Sequence, residues 1–352
     1  MTAKFETVIR EHFASSREHP QYQVWLDYAL STNTRGTQLV TSLAPWAPSF
    51  QGLRTLDVGS GYGGTCIAMA KAGASASGIE IDQRLLSFAA ENVKDHPGID
   101  VTMTNVDAMD WSALSALGQF DVITCDNVIE HVPVPQVLVA HLRRLLTPSG
   151  VLYLTAPNAF SAGQIRSDCH YGRFGLSLLD PMDGETFVKD ALGQPSYDVS
   201  EYFSSDEYRA MFDRFGLWSR LMNGVGAGET EMLEVKKARE SLGAMRWEDA
   251  VPASMRPKVS RLLKEHLQRW DADLRWFDAQ PEGSSEREAL AHRLYRDYVI
   301  ELWYFVLSPT RARIEPESLV PPRPIREEAR VLAGRVLTKL LARAGRVGGP
   351  AL

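Results

Sequence analysis

A chain of 352 residues with 44% hydrophobic and 23% charged side chains can bury a sizeable core, which excludes an intrinsically disordered protein. Its net charge of −6 is not the footprint of a nucleic-acid binder, so no nucleic-acid partner is expected. Three isolated cysteines (Cys66, Cys125, Cys169) without metal-ligand spacing, an N-terminus without an apolar signal core and no run of transmembrane length lead us to expect a cytoplasmic protein.

In chain order, Phe5, Val8, Ile9 and Phe13, then Tyr22, Trp25 and Tyr28, predict helices over residues 1–48 that close over a ligand. A strand over Leu53–Val58 then runs into a turn with glycines at 59, 61, 63 and 64, and a helix over Thr65–Ala72 follows. Glycines allow a tight turn and close approach of a ligand, and the helix behind it presents unpaired N–H groups. Ala76–Ile81 is a second strand ending in Glu80, after which Asp82 caps a helix carrying Leu85, Leu86, Ala89, Ala90 and Val93 on one face. Val101–Asn105 and Phe120–Cys125 are further strands, Pro135 starts a helix, and Thr147-Pro148-Ser149-Gly150 turns into a fifth strand over Val151–Ala156. The alternation implies a mostly parallel sheet covered on both faces, with ligands outside the carboxyl ends of the strands.

Beyond the fifth strand, Ala159–Tyr202 is a long excursion containing Asp168-Cys169-His170-Tyr171-Gly172. A loop leaving this end of a central strand is a natural acceptor-binding lid. Its His170 and Tyr171 read either as acid/base and orienting groups or as a loop anchor and a packed ring. A capped helix over Ser204–Phe215 and a strand over Leu217–Leu221 follow. Residues 226–296 then read as a helical insertion: Glu229–Leu242, a long amphipathic helix over Pro257–Ala279, and a third helix opened by the capping box Ser285-x-x-Glu288. Its aromatics Trp247, Trp270, Trp276 and Phe277 are expected in its core. Tyr298–Leu307, within residues 297–312, would return to the sheet as a seventh, antiparallel strand. Residues 313–352 form a tail, in which seven basic residues between 322 and 352 face two acids and Ile325, Ala329, Leu332, Val336 and Leu340 share a helical face. Such a helix could meet a membrane surface; we expect it instead on its own domain or on a second protomer, as in a homodimer.

The ordered motifs LDVGSGYGG, SGIEID, NVDAMDW, FDVITCDNVIEHVP, LTPSGVLYLTAPN and YFSSDEYRAMFDRFGL resemble those of class I SAM-dependent methyltransferases over roughly residues 35–220, nearest the branch that includes ubiquinone-biosynthesis O-methyltransferases. Gly59, Gly61 and Gly64 also satisfy the dinucleotide pattern G-x-G-x-x-G. Asp57, however, suits a ligand with a positively charged amino group, such as S-adenosyl-L-methionine, better than a pyrophosphate. The resemblance implies an α/β fold: a Rossmann-like doubly wound sheet over 49–225, seven strands in all with the last antiparallel, a helical insertion and a C-terminal helix. It implies that Asp57, Gly59, Ser60, Gly61 and Gly63 hold the methionine end. Glu80, followed by Ile81, would take the ribose hydroxyls, Asp107 the adenine amino group, and the backbone of Ala108 the ring. Asp126 and Asn127 would lie near the sulfonium. Each acid has an alternative reading as a cap or turn residue.

The implied chemistry is methyl transfer to a small-molecule or glycoside acceptor, on oxygen, with a non-methylating reaction such as elimination or cyclisation on the same fold as the alternative. The sulfonium methyl is already electrophilic, so the protein mainly aligns a nucleophile; a phenol, catechol or sugar hydroxyl would benefit from a base such as His131 or His170, with His131 read alternatively as the cap of the helix that follows. Glu130-His131 resembles a pair that helps hold a divalent metal in some quinone-pathway relatives. Their pattern has a further acid where this chain has Asn127, so no metal is expected.

Overall fold

The computed structural model describes residues 4–18, 22–223 and 228–314; the basic tail over 322–352 lies outside the described residues. Three helices come first: α1 (Lys4–His12), α2 (Tyr22–Leu30) and α3 (Thr32–Ser42). The alternating part then runs β1 (Arg54–Val58), α4 (Gly64–Lys71), β2 (Ser75–Glu80), α5 (Gln83–Lys94), β3 (Val101–Asn105), α6 (Trp111–Ser115), β4 (Phe120–Cys125), α7 (Pro135–Leu145) and β5 (Leu146–Pro157). After it come α8 (Ala162–Arg166), α9 (Pro181–Leu192), α10 (Ser205–Arg214), β6 (Trp218–Leu221), α11 (Glu229–Gly243), α12 (Arg256–Ala279), α13 (Ser285–Tyr298), β7 (Leu302–Ser308) and α14 (Arg311–Ile314).

The seven strands form one sheet in the order β3-β2-β1-β4-β5-β7-β6. The pairs β3–β2, β2–β1, β1–β4 and β4–β5 are parallel. β7 runs antiparallel to β5. The amide of Asn158, just past β5, donates to the Glu301 carbonyl just before β7, and the Ser308 hydroxyl at the far end of β7 donates to the Gly150 carbonyl near the start of β5. The fold is therefore the expected α/β sheet with a reversed seventh strand. Residues Val151–Ala156 are buried throughout, as a strand covered on both faces must be. The 147–150 turn is absorbed into β5: Phe120 pairs with Leu146 and Val122 with Val151, leaving an irregularity between the two registers.

The described chain divides into two compact units. The first holds the sheet: the chain up to Ala156, Arg209–Arg220 and the stretch from Tyr304 onward. The second comprises Pro157–Tyr208 and Leu221–Trp303. Residues 159–202, read from sequence as a loop, carry α8 and α9 and share one hydrophobic core with α11, α12 and α13. In that core Val259, Leu263, Trp270 and Phe277 of α12 are buried, and the Trp270 and Tyr298 rings stack with centroids 4.2 Å apart. Trp247 is half-buried against Phe174, whereas Trp276 is 48% exposed with Arg293 over its ring, so it falls outside the expected core. The cap of α13 is Ser284, which accepts from the Arg287 amide, not Ser285; and the stretch from Tyr298 to Glu301 ends a helix before β7 begins. Among the described residues no helix is long and apolar enough to cross a membrane.

Candidate active site

The carboxyl ends of β1, β2 and β4 bring the expected acids to one side of the sheet unit. Asp57 is buried, and the Thr124 hydroxyl of β4 donates to its Oδ1 at 2.6 Å. Burial raises its pKa from the ordinary 3.8 to about 7; the Thr124 hydrogen bond opposes that shift, and the charges of Asp126 and Glu80 add to it. Glu80 is also buried and raised by desolvation. Its Oε2 accepts from the Gly61 amide and its Oε1 from the Asp82 amide, each at 2.9 Å. A carboxylate oxygen has a further lone pair, so both can still accept from a ligand hydroxyl.

The glycine-rich turn is built around these acids. Gly59, Gly61 and Gly63 all have positive φ, and the Gly59 and Ser60 amides donate to the Ile79 carbonyl. At Gly59 the requirement is doubled, since a Cβ there would lie 2.4 Å from a methyl of Val128. Ile81 is 67% exposed, an apolar side chain beside the Glu80 carboxylate. Asp107 is exposed, with Oδ1 accepting from the Met109 amide at 2.8 Å, and the neighbouring Ala108 carbonyl is held by His141 Nδ1 at 3.0 Å.

After β4, Asn127 is the single described non-glycine residue with positive φ, at 56°. Asparagine tolerates this region, and such conformations cluster at ligand sites. The turn is held by Thr155 of β5, whose hydroxyl donates to Asp126 Oδ1 at 2.7 Å and accepts from the Asn127 amide at 2.8 Å. Glu130 is buried and His131 half-buried, with His131 Nε2 3.8 Å from Glu130 Oε1. His131 does not cap the helix after it: the N-cap of α7 is Val134.

His170 and Tyr171 belong to the second unit. Asp168, fully buried, accepts from the amides of His170, Tyr171 and Arg173 at 2.7–2.8 Å, which fixes the turn that carries both. His170 Nδ1 lies 2.7 Å from the Tyr202 hydroxyl and 3.3 Å from Cys169 Sγ. Tyr171 packs in the core of this unit, its hydroxyl accepting from the Asp198 amide at 2.9 Å and its pKa raised by burial. Those surroundings are those of a packed ring.

Three residues that support the site are not marked by the sequence, and a fourth, Tyr28, enters it only as part of an N-terminal helix. Thr124 and Thr155 are fully buried hydroxyls flanked by apolar strand residues, a pattern that demands a partner. The other two are Arg35 of α3 and the ring of Tyr28. The Arg35 guanidinium carbon is 3.6 Å from the Tyr28 ring centroid, and Arg35 donates to the Tyr28 carbonyl and, at 2.8 Å, to Ser31 Oγ. Burial raises the Tyr28 hydroxyl; the Arg35 charge opposes that shift and the Asp126 charge adds to it. Arg35 is a lone charge in TNTRGTQLV, and nothing in its spacing marks it.

A family model described as a methyltransferase domain matches residues 26–218. The ubiquinone biosynthesis O-methyltransferase of Thiobacillus denitrificans is 30% identical over 174 residues, 49% of this chain and 68% of that protein. Its counterpart from Methylococcus capsulatus is 39% identical over 110 residues, 31% of this chain and 46% of that one. Among solved structures, the magnesium protoporphyrin IX methyltransferase of Synechocystis, with bound SAH, aligns with a TM-score of 0.40 at 20% identity, covering 61% of this chain and 91% of that one.

Proposed function

Since the chain belongs to the class I SAM-dependent methyltransferases, with S-adenosyl-L-methionine as cofactor, we propose that it moves the sulfonium methyl to an oxygen of a small-molecule acceptor. The observation that carries the cofactor pose is the pair of buried carboxylates at the glycine-rich turn, Asp57 held by the Thr124 hydroxyl and Glu80 by two backbone amides. Desolvated carboxylates held by a hydroxyl or by backbone amides gain most from a cationic ligand. The methionine end of the cofactor is zwitterionic. Asp57 takes its ammonium, Arg35 its carboxylate, and Asp126 with the Asn127 turn flanks the sulfonium. Glu80 takes the ribose hydroxyls through its unused lone pairs, Ile81 covers the adenine, and Asp107 with the Ala108 backbone reads its edge.

Oxygen as the target rests on the imidazoles, since a neutral hydroxyl must lose its proton as it is methylated. We assign that proton to His131 of the β4 turn or His170 of the second unit. Methyl-labelled SAM with a panel of phenols, catechols and glycosides tests the reading: label should enter an ether linkage, and transfer to nitrogen or carbon alone would refute oxygen. SAM consumed without label in any acceptor would favour elimination or cyclisation. In the same assay the His→Ala variant at the base should lower turnover by about 10²–10⁴-fold and leave SAM affinity intact, while the other variant changes turnover little.

A further inference from the structure

Asn92 of α5 is a polar side chain only 1% exposed, and the reaction gives it no role. Its Nδ2 donates to the Tyr62 carbonyl in the glycine-rich turn at 2.8 Å and to Asn33 Oδ1 at 3.1 Å, and its Oδ1 accepts from Asn33 Nδ2 at 2.9 Å. The two amides form a closed pair between α3 and α5, with a third arm on the turn. Burying an amide is unfavourable unless every group is satisfied, and an apolar side chain would pack there more simply. The arrangement makes sense as a device that fixes three segments relative to one another.

The segment fixed on one side is α3, which carries Arg35 two residues after Asn33. Its backbone lies directly against the start of α4. A Cβ on Gly36 would be 2.3 Å from the Gly64 carbonyl oxygen, and one on Gly64 would be 2.3 Å from that of Thr32. That glycine crossing sets the distance of α3 from the turn, and the amide pair sets its rotation. Together they hold the Arg35 guanidinium at a set place relative to the amides at 59–63.

We infer that the Asn33–Asn92–Tyr62 clasp is a positioning device for the amino-acid end of the cofactor. It presents Arg35 and the glycine-rich turn as one preset surface, so that binding orders neither. This rests on the reading of Arg35 as the carboxylate's partner. Asn33 and Asn92 touch no ligand and act through Arg35 and the Tyr62 peptide.

Two ligands separate this role from a merely structural one: S-adenosylhomocysteine, which has the amino-acid end, and 5′-methylthioadenosine, which lacks it. Asn92→Asp keeps the side-chain shape and the acceptor for Asn33 but turns an acceptor toward the Tyr62 carbonyl. Asn33→Ala, at a half-buried position, serves if the first variant fails to fold. By titration calorimetry on the full chain, each should weaken S-adenosylhomocysteine about tenfold or more, a buried hydrogen bond's worth, and shift methylthioadenosine by less than about threefold. Arg35→Ala should discriminate in the same sense, and Asn33→Ala added to it should produce almost no further loss, since both remove one interaction. Parallel weakening of both ligands, or no weakening of either, overturns the clasp as a positioning device. So does an Arg35→Ala variant that binds both ligands as the parent does. A parent that binds neither ligand overturns the cofactor reading itself.

Discussion

The sheet unit and the helices α11–α13 of the second unit use carboxylates in opposite ways. Among those helices, Asp271 takes a bidentate pair of hydrogen bonds from Arg239 at 2.8 and 2.7 Å, and Asp273 is shared by Arg293 at 2.8 Å and the Tyr298 hydroxyl at 2.7 Å. In the sheet unit Asp57 is held by a threonine hydroxyl and Glu80 by two backbone amides, and burial raises both. A carboxylate already facing a guanidinium has little left to offer a cation; one held by neutral donors at the carboxyl end of a strand keeps lone pairs for a ligand. The difference teaches that the acids of α11–α13 are spent on structure, while Asp57 and Glu80 of the sheet unit are left open to a ligand.

The strongest way to break this comparison is to damage the helical core and ask what the cofactor site feels. Trp270 is fully buried and stacked on Tyr298. Trp270→Ala should destabilise by about 3–5 kcal/mol, the range for removing a buried large aromatic, read from denaturant unfolding. Affinity for S-adenosylhomocysteine, titrated well below the transition, should stay within about threefold. A collapse of both together would show that the two units do not divide stability and binding as described.

A smaller effect with the opposite signature is expected at Asp57. Asp57→Asn keeps the size of the side chain and removes the charge that burial penalises. The empty protein at pH 8 should melt no lower than the parent, and cofactor affinity should fall by roughly ten- to a hundredfold, as for a charged hydrogen bond of about 1.5–3 kcal/mol. A lower melting temperature with unchanged affinity would make Asp57 a structural carboxylate like Asp271, and the contrast would disappear.

The same contrast explains what was legible in the sequence. In the sheet unit, each strand and the turn after it are contiguous, so a carboxylate at a fixed offset from a glycine turn carries its position with it. The places of Asp57, Glu80 and Asp107 at or just past strand ends follow from the sequence that way, as does the Asp82 cap. What escaped there are contributions between segments: Thr124 and Thr155, though inside the later motifs, reach across strands, and Arg35 arrives on a helix whose close-packing signal is Gly36. The second unit was harder. Its helices α11–α13 follow from periodicity, but its core joins Phe174 and Phe187 to Trp270 and Tyr298, and no local pattern tells one segment which distant one will cover it. The sequence of residues 159–202 therefore reads as a loop, although Gly175 and Gly193, both at positive φ, bound short helical elements within it.

The finest test is of pH, because it asks whether the raised carboxyl is the one the ligand needs. With its pKa lifted from 3.8 to about 7, Asp57 binds a proton in the empty fold that the unfolded chain has already released over that window. Its contribution to the stability of the empty protein therefore falls as pH rises from about 4 to about 7. A cofactor ammonium beside it favours the ionised form, so binding below pH 7 must expel the proton. Affinity should rise with pH, be weaker at pH 6 than at pH 8 by about tenfold, which is one proton released over one unit below the midpoint, and level off above it. Calorimetry in buffers of different ionisation enthalpy would show close to one proton released at pH 6 and almost none at pH 8. In Asp57→Asn both the slope and the proton release should vanish, and if they persist the titrating group is another member of the cluster, Glu80 or Asp126.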